Sequence, residues 1–150
     1  MSGQDDVQVE WADGWDSERL RDTVSKPGWE VGFKWSSRHV EPKLGLVVDR
    51  AIQGPVKPCS PTAVHVAMDP DYARNGWVWP TKEAGLPGVW LTFVAVMRAE
   101  CTHEVRFSEK WVGRRLRIVA VIKSRRMPPS HSRSEFLEAL GVRNTEGMTQ

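Results

Sequence analysis

From Val89 onward the chain alternates. Val89, Leu91, Phe93, Ala95, Met97, Ala99, Cys101, His103, Val105 and Phe107 occupy the odd positions, while from Arg98 on the even ones read Arg98, Glu100, Thr102, Glu104, Arg106 and Ser108. Side chains alternate across a strand, so this run predicts a strand with one apolar face and one that becomes charged. Val89 to Phe107 is longer than an ordinary strand, which predicts a bend or bulge near Arg98 to Cys101. A second run sets Leu116, Ile118, Ala120 and Ile122 on one parity, and Arg115, Arg117 and Lys123 on the other with Val119 and Val121. Ser108–Gly113 reads as the linker that closes both runs into an antiparallel hairpin. The pattern predicts a central hairpin over Gly88–Arg126 with a basic outer face.

Shorter patterns flank it. Val7–Trp11 alternates as an edge strand would. Asp16 is placed to cap a helix over Ser17–Ser25, with Leu20 and Val24 inward at i, i+4, and Lys26-Pro27-Gly28 stops it. Trp29, Val31, Phe33 and Trp35 share one face of a half-buried strand, a pattern that puts these aromatics in the core. Leu44–Ala51 and Thr62–Asp69 predict further strands, separated by the Pro-rich loop Gln53–Pro61. Ser132 or Ser134 can cap a helix through Leu140, with Phe136, Leu137 and Leu140 inward and Gly141 at its C′ position. Residues 1–6 and 144–150 are polar ends, and the rest reads as one domain. The order predicts an α+β fold: a largely antiparallel sheet with a short N-terminal helix and a C-terminal helix packed on it.

Charge changes the picture. Net charge is only +2 over 150 residues, but residues 1–30 carry eight acids against three bases, and residues 98–126 carry nine bases against three acids. Arg106, Lys110, Arg114, Arg115, Arg117, Lys123, Arg125 and Arg126 gather on the hairpin. Such a patch suits phosphates, because neutralising them releases counterions. Of the eight Trp residues, Trp11, Trp15, Trp77 and Trp79 are placed to stack on bases. The leading expectation is therefore a nucleic-acid-binding protein, with duplex or structured RNA on the basic hairpin. Two alternatives remain: a protein-interaction or oligomerising module with Trp anchors, which would meet an acidic surface, or a small enzyme. A further possibility is that the acidic N-terminal segment folds over the basic sheet and neutralises it.

Chemistry has weaker signatures. Cys101 and His103 share a strand face, and Cys59 with His65 would complete a zinc set, but no CxxC or HxxxH spacing occurs. No metal or cofactor is expected. His65, Asp69, Cys101 and His103 are the residues an enzyme would use, with no nucleophile elbow or phosphate loop beside them. Cys101 and His103 lie on the apolar parity, which favours a structural role. Two distant cysteines, no long apolar run and an acidic N-terminus predict a cytoplasmic protein without a membrane span.

CTHEVRF (Cys101–Phe107), the strand after it and the Ser-started helix resemble part of the second half of tombusvirus RNA-silencing suppressors. The resemblance covers about a quarter of the chain. It implies duplex RNA on a basic sheet holding Arg115 and Arg117, with Trp11 and Trp15 stacked on the duplex ends. Residues 52–90, rich in Pro loops, depart from that family's helix.

Overall fold

The computed structural model describes residues 7–34, 43–58, 60, 62–70, 90–105, 108–125 and 132–142. Arg106, Arg126, Trp77, Trp79, Cys59 and Trp35 lie outside the described residues. Among the described residues, eight strands and two helices follow in the order β1 (Val7–Trp11), α1 (Ser17–Val24), β2 (Trp29–Lys34), β3 (Val47–Asp49), β4 (Val64–Ala67), β5 (Trp90–Arg98), β6 (Cys101–Val105), β7 (Ser108–Gly113), β8 (Arg115–Ser124) and α2 (Arg133–Ala139). The sheet is antiparallel throughout, in the order β1-β8-β5-β2-β4-β7-β6, with β3 also beside β8. The α+β class read from the sequence holds. No helix among the described residues is long and apolar enough to cross a membrane.

The central hairpin forms, but its turn lies elsewhere. Ser108–Gly113 is itself a strand, β7, rather than a linker. It pairs with β6 on one side and β4 on the other. Val105 faces Ser108, Cys101 faces Val112 and Met97 faces Leu116, all in one continuous register. Thus β5 with β6, and β7 with β8, are two long strands bent at the same place. The predicted bend at Arg98 to Cys101 is this corner. Gly113 makes it tight: a Cβ there would sit 2.7 Å from the Arg98 carbonyl oxygen and from Met97 Cε.

A second irregularity reverses the faces of β8. Val94 pairs with Ala120 but Ala95 pairs with Ile118, leaving Val119 without a partner across the ladder. This is a β-bulge, and one extra residue shifts every later side chain to the opposite face. Leu116 and Ile118 pack with Met97, Ala95 and Val121 on the side away from the helices. Val119, Ala120 and Ile122 pack with Val94, Phe33, Leu20 and Phe136 on the helix side. The single apolar face expected for Leu116, Ile118, Ala120 and Ile122 is therefore divided between two cores. All four are buried.

Both helices cover one face. Asp16 caps α1 by accepting from Arg19 N at 2.8 Å, and Leu20 is fully buried beneath it. Ser132 and Glu135 form a reciprocal capping box on α2, which satisfies two orphan N–H groups. Phe136, Leu137 and Leu140 point inward as expected, and Gly141 takes the left-handed conformation after the helix (φ +83). Leu44–Ala51 yields only the three-residue β3, although Leu44, Leu46 and Val48 all pack against the far core.

β4 crosses β2 through a single pair, Phe33 with Ala67. Gly32 permits the approach, since a Cβ there would lie 2.2 Å from Val66 Cγ2.

Candidate nucleic-acid interface

Residues 15, 19, 23 and 26 repeat every three or four positions, which sets them along one side of α1 and its flanks. That side overhangs the corner of the hairpin and leaves a cavity of about 520 Å³. Trp15, Arg19, Thr23 and Lys26 form its roof, and Trp29, Val96, Arg98 and Arg117 lie opposite. Glu100, Arg114 and Arg115 close the corner end.

Strand register explains why cations meet here. Val31, Val96 and Arg117 form one cross-strand row on the helix side, running from β2 through β5 to β8. In the next row, Trp29 pairs with Arg98 and Asp49 pairs with Arg115. One further step along the β5–β8 register sets Arg98 beside Arg115. Like charges opposed across strands are destabilising, so this part of the sheet holds a local repulsion that an anion would relieve. Asp49 relieves little of it. It lies 3.8 Å from Arg115 with both side chains 64% exposed, where an ion pair is worth at most about 1 kcal/mol.

The basic residues expected from sequence separate into groups. Arg115 and Arg117 line the cavity. Arg114 lines it too but has structural work: it meets Glu100 at 3.2 Å and donates to the carbonyls of Ile52 and Gly54, tying that loop to the corner. Lys123 does not share a face with Arg115 and Arg117, as expected from parity, because the Val119 bulge turns it to the other side. There it meets Glu10 at 3.3 Å. Lys110 sits on β7, opposite His103, and Arg125 is exposed just past β8.

The stacking platforms also differ from expectation. Trp15 is 9% exposed and belongs to the helix-side core, with the Arg19 guanidinium 3.9 Å above its ring. Trp11 is half-buried in β1 against the same core. Neither is presented as an open cap of the kind the tombusvirus resemblance implies. Trp29, assigned to the core by its parity, instead lines the cavity.

Arg19, Lys26 and Arg98 are the site residues that sequence reasoning missed. Two of them lie in the segment whose net charge is acidic. Folding partly sorts that segment by sign: two of its three bases, Arg19 and Lys26, enter the cavity. Among the described residues Glu10 is its only carboxylate ion-paired with the hairpin. The expected acidic cover over Arg115 and Arg117 is not what α1 provides. The helical spacing of residues 15, 19, 23 and 26 was the available signal.

A second basic cluster surrounds His65. Its Nε2 lies 2.9 Å from the Ser60 carbonyl oxygen, so Nε2 carries the proton and donates, while buried Nδ1 has no partner among the described residues. Burial holds the His65 pKa below its usual 6.5; the Ser60 bond opposes this, and Lys110, Lys34 and His103 reinforce it. Lys34 donates to the His65 carbonyl at 3.2 Å. Its own pKa is lowered from 10.5 to about 8, chiefly by burial and then by Arg50 and Lys110.

His65 and Cys101 flank Val112 on neighbouring strands, and His103 lies two residues beyond Cys101. Asp69 follows β4. Among the described residues no three His, Cys, Asp or Glu side chains are grouped to hold a metal ion.

Comparison with known protein families, with curated proteins and with solved structures finds no match for this chain.

Proposed function

We propose that this protein binds nucleic acid, structured RNA foremost, where α1 overhangs the bend of the central hairpin. The observation that carries the reading is the grouping of Arg98, Arg115 and Arg117 on the helix-side face, opposite Arg19 and Lys26. Cations held side by side by strand register suit a polyanion, whose phosphates relieve the repulsion between them. Trp29 and the apolar Val96 add a surface for a base. The groups facing the cavity bind and orient; none of them forms a nucleophile with an adjacent base.

Titration of the protein with RNA and DNA duplexes, hairpins and single strands at two salt concentrations tests this. Affinity should fall steeply with salt, with a log–log slope of about −0.7 to −0.9 per neutralised phosphate. Changing Arg98 and Arg117 together to Glu should make that slope shallower while the thermal unfolding midpoint stays close to that of the parent. Absence of binding to every nucleic acid at low salt would overturn the reading.

A further inference from the structure

We infer that the cavity beneath α1 receives one unpaired nucleotide of a bound RNA, so that the protein prefers interrupted to continuous duplexes; this rests on the nucleic-acid reading above. A cavity of about 520 Å³ falls in the range of sites that enclose a single small ligand, about 300–1,000 Å³. A continuous double helix is too wide to enter a space of that volume, although its phosphates can reach Arg98 and Arg115, which are exposed at the rim. A nucleotide turned out of the helix can enter.

The lining is divided to suit the two halves of such a ligand. Trp29 and Val96 sit on the sheet side of the cavity and offer an aromatic face and an apolar floor. Trp15 is already stacked beneath Arg19, so Trp29 is the ring left to meet a base. Arg98 pairs with Trp29 across β2 and β5, and Arg117 pairs with Val96 across β5 and β8. Trp29, the half-buried ring available to a base, therefore has a guanidinium as its cross-strand neighbour, and a second guanidinium sits beside the buried Val96 behind it. A base on Trp29 and Val96 would carry its phosphates to Arg98 and Arg117, with Lys26 above them. Single-stranded loops and bulges, whose bases can be splayed onto aromatic and guanidinium planes, are the usual targets of such surfaces.

The test compares two blunt-ended RNA duplexes of equal length, one fully paired and one with a single-nucleotide bulge, titrated against the full chain at fixed salt. The bulged RNA should bind about tenfold tighter, within the range that one base–aromatic stack supplies. Trp29→Ala should reduce that preference to near unity. Since Trp29 is half-buried, Arg98→Gln at an exposed position provides a second variant, read only after its melting curve matches the parent; it too should weaken the bulged RNA more than the paired one. Equal affinity for the two duplexes overturns this inference and leaves the nucleic-acid reading standing. Failure of both duplexes to bind overturns both.

Discussion

Arg117 and Lys123 project from opposite faces of the same strand. They stand six positions apart, an even interval that would place both on one face of a regular strand. Val119 has no partner in the β5–β8 ladder, and that single extra residue breaks the parity between them. Arg117 consequently lies in the cavity under α1, and Lys123 lies beside Glu10 at the edge formed by β1.

Charge reversal at the two positions should therefore separate. Arg117→Glu should weaken RNA binding at least tenfold and flatten its salt dependence, by removal of one phosphate contact and introduction of a repulsive charge. Lys123→Glu should leave RNA affinity within about twofold. Its Glu10 pair is 44% and 55% exposed, so its stability cost should be no more than about 1 kcal/mol. Fluorescence-anisotropy titrations and urea melts of both variants measure this. Equal losses of affinity would show that the bulge does not divide the strand functionally.

Gly32 and Val66 should behave as a coupled pair. Adding a methyl at Gly32 places it inside the van der Waals radius of Val66 Cγ2. Gly32→Ala should destabilise the protein by about 1–3 kcal/mol, the usual cost of overpacking a core. With Val66→Ala already present, the same change should cost less but not nothing, because Cγ2 is gone while the Cβ of residue 66 would still lie 2.5 Å from the new methyl. A double-mutant cycle by chemical denaturation measures the coupling.

Stability should fall on mild acidification through His65. Its folded-state pKa lies below 6.5, so the unfolded chain takes up the proton first. The contribution of neutral His65 is complete above the unfolded pKa and is lost as pH falls through the folded one. The physical cause is visible: Nε2 is committed to Ser60, and a second proton would sit on buried Nδ1. His65→Gln should show a smaller loss of stability between pH 7.5 and pH 5.5 than the parent, in urea melts run at both.

Lys34 should titrate at about pH 8 instead of 10.5, as followed by NMR at its Cε position. Its depressed folded-state pKa carries the same sign. Stability should rise between pH 8 and 10.5, where the unfolded chain still holds a proton that the folded chain has lost, and level off above 10.5.

The fold was largely legible because most elements state themselves twice, in period and in punctuation. Asp16 with Leu20 and Val24, and Ser132 with Phe136, Leu137 and Leu140, give both cap and face. β7 was hidden because SEKWVG alternates weakly and has no apolar run; it is a strand because β4 and β6 pair with it from both sides. The bulge was hidden because Val119 and Val121 are as apolar as Ile118 and Ile122, so either parity of β8 can be buried. The site was half legible. Arg115 and Arg117 stand in a basic run, whereas Arg19 and Lys26 are surrounded by acids in sequence, and only the fold brings them to face the sheet.

The register of the bent hairpin, shifted once at Val119, also favours one order of assembly. Val105 and Ser108 are separated by two residues, and every successive pair outward lengthens the enclosed loop only slightly. Closure entropy grows slowly with loop length and is least for the shortest loop. Pairing that starts there therefore zips through Cys101–Val112 and the Gly113 corner to Trp90–Ser124 by small increments. β1 and β2, from the other end of the chain, then dock onto edges that already exist. On this route the corner is crossed before any residue of α1 arrives, so Arg98, Arg115 and Arg117 are brought together before the helix that roofs them.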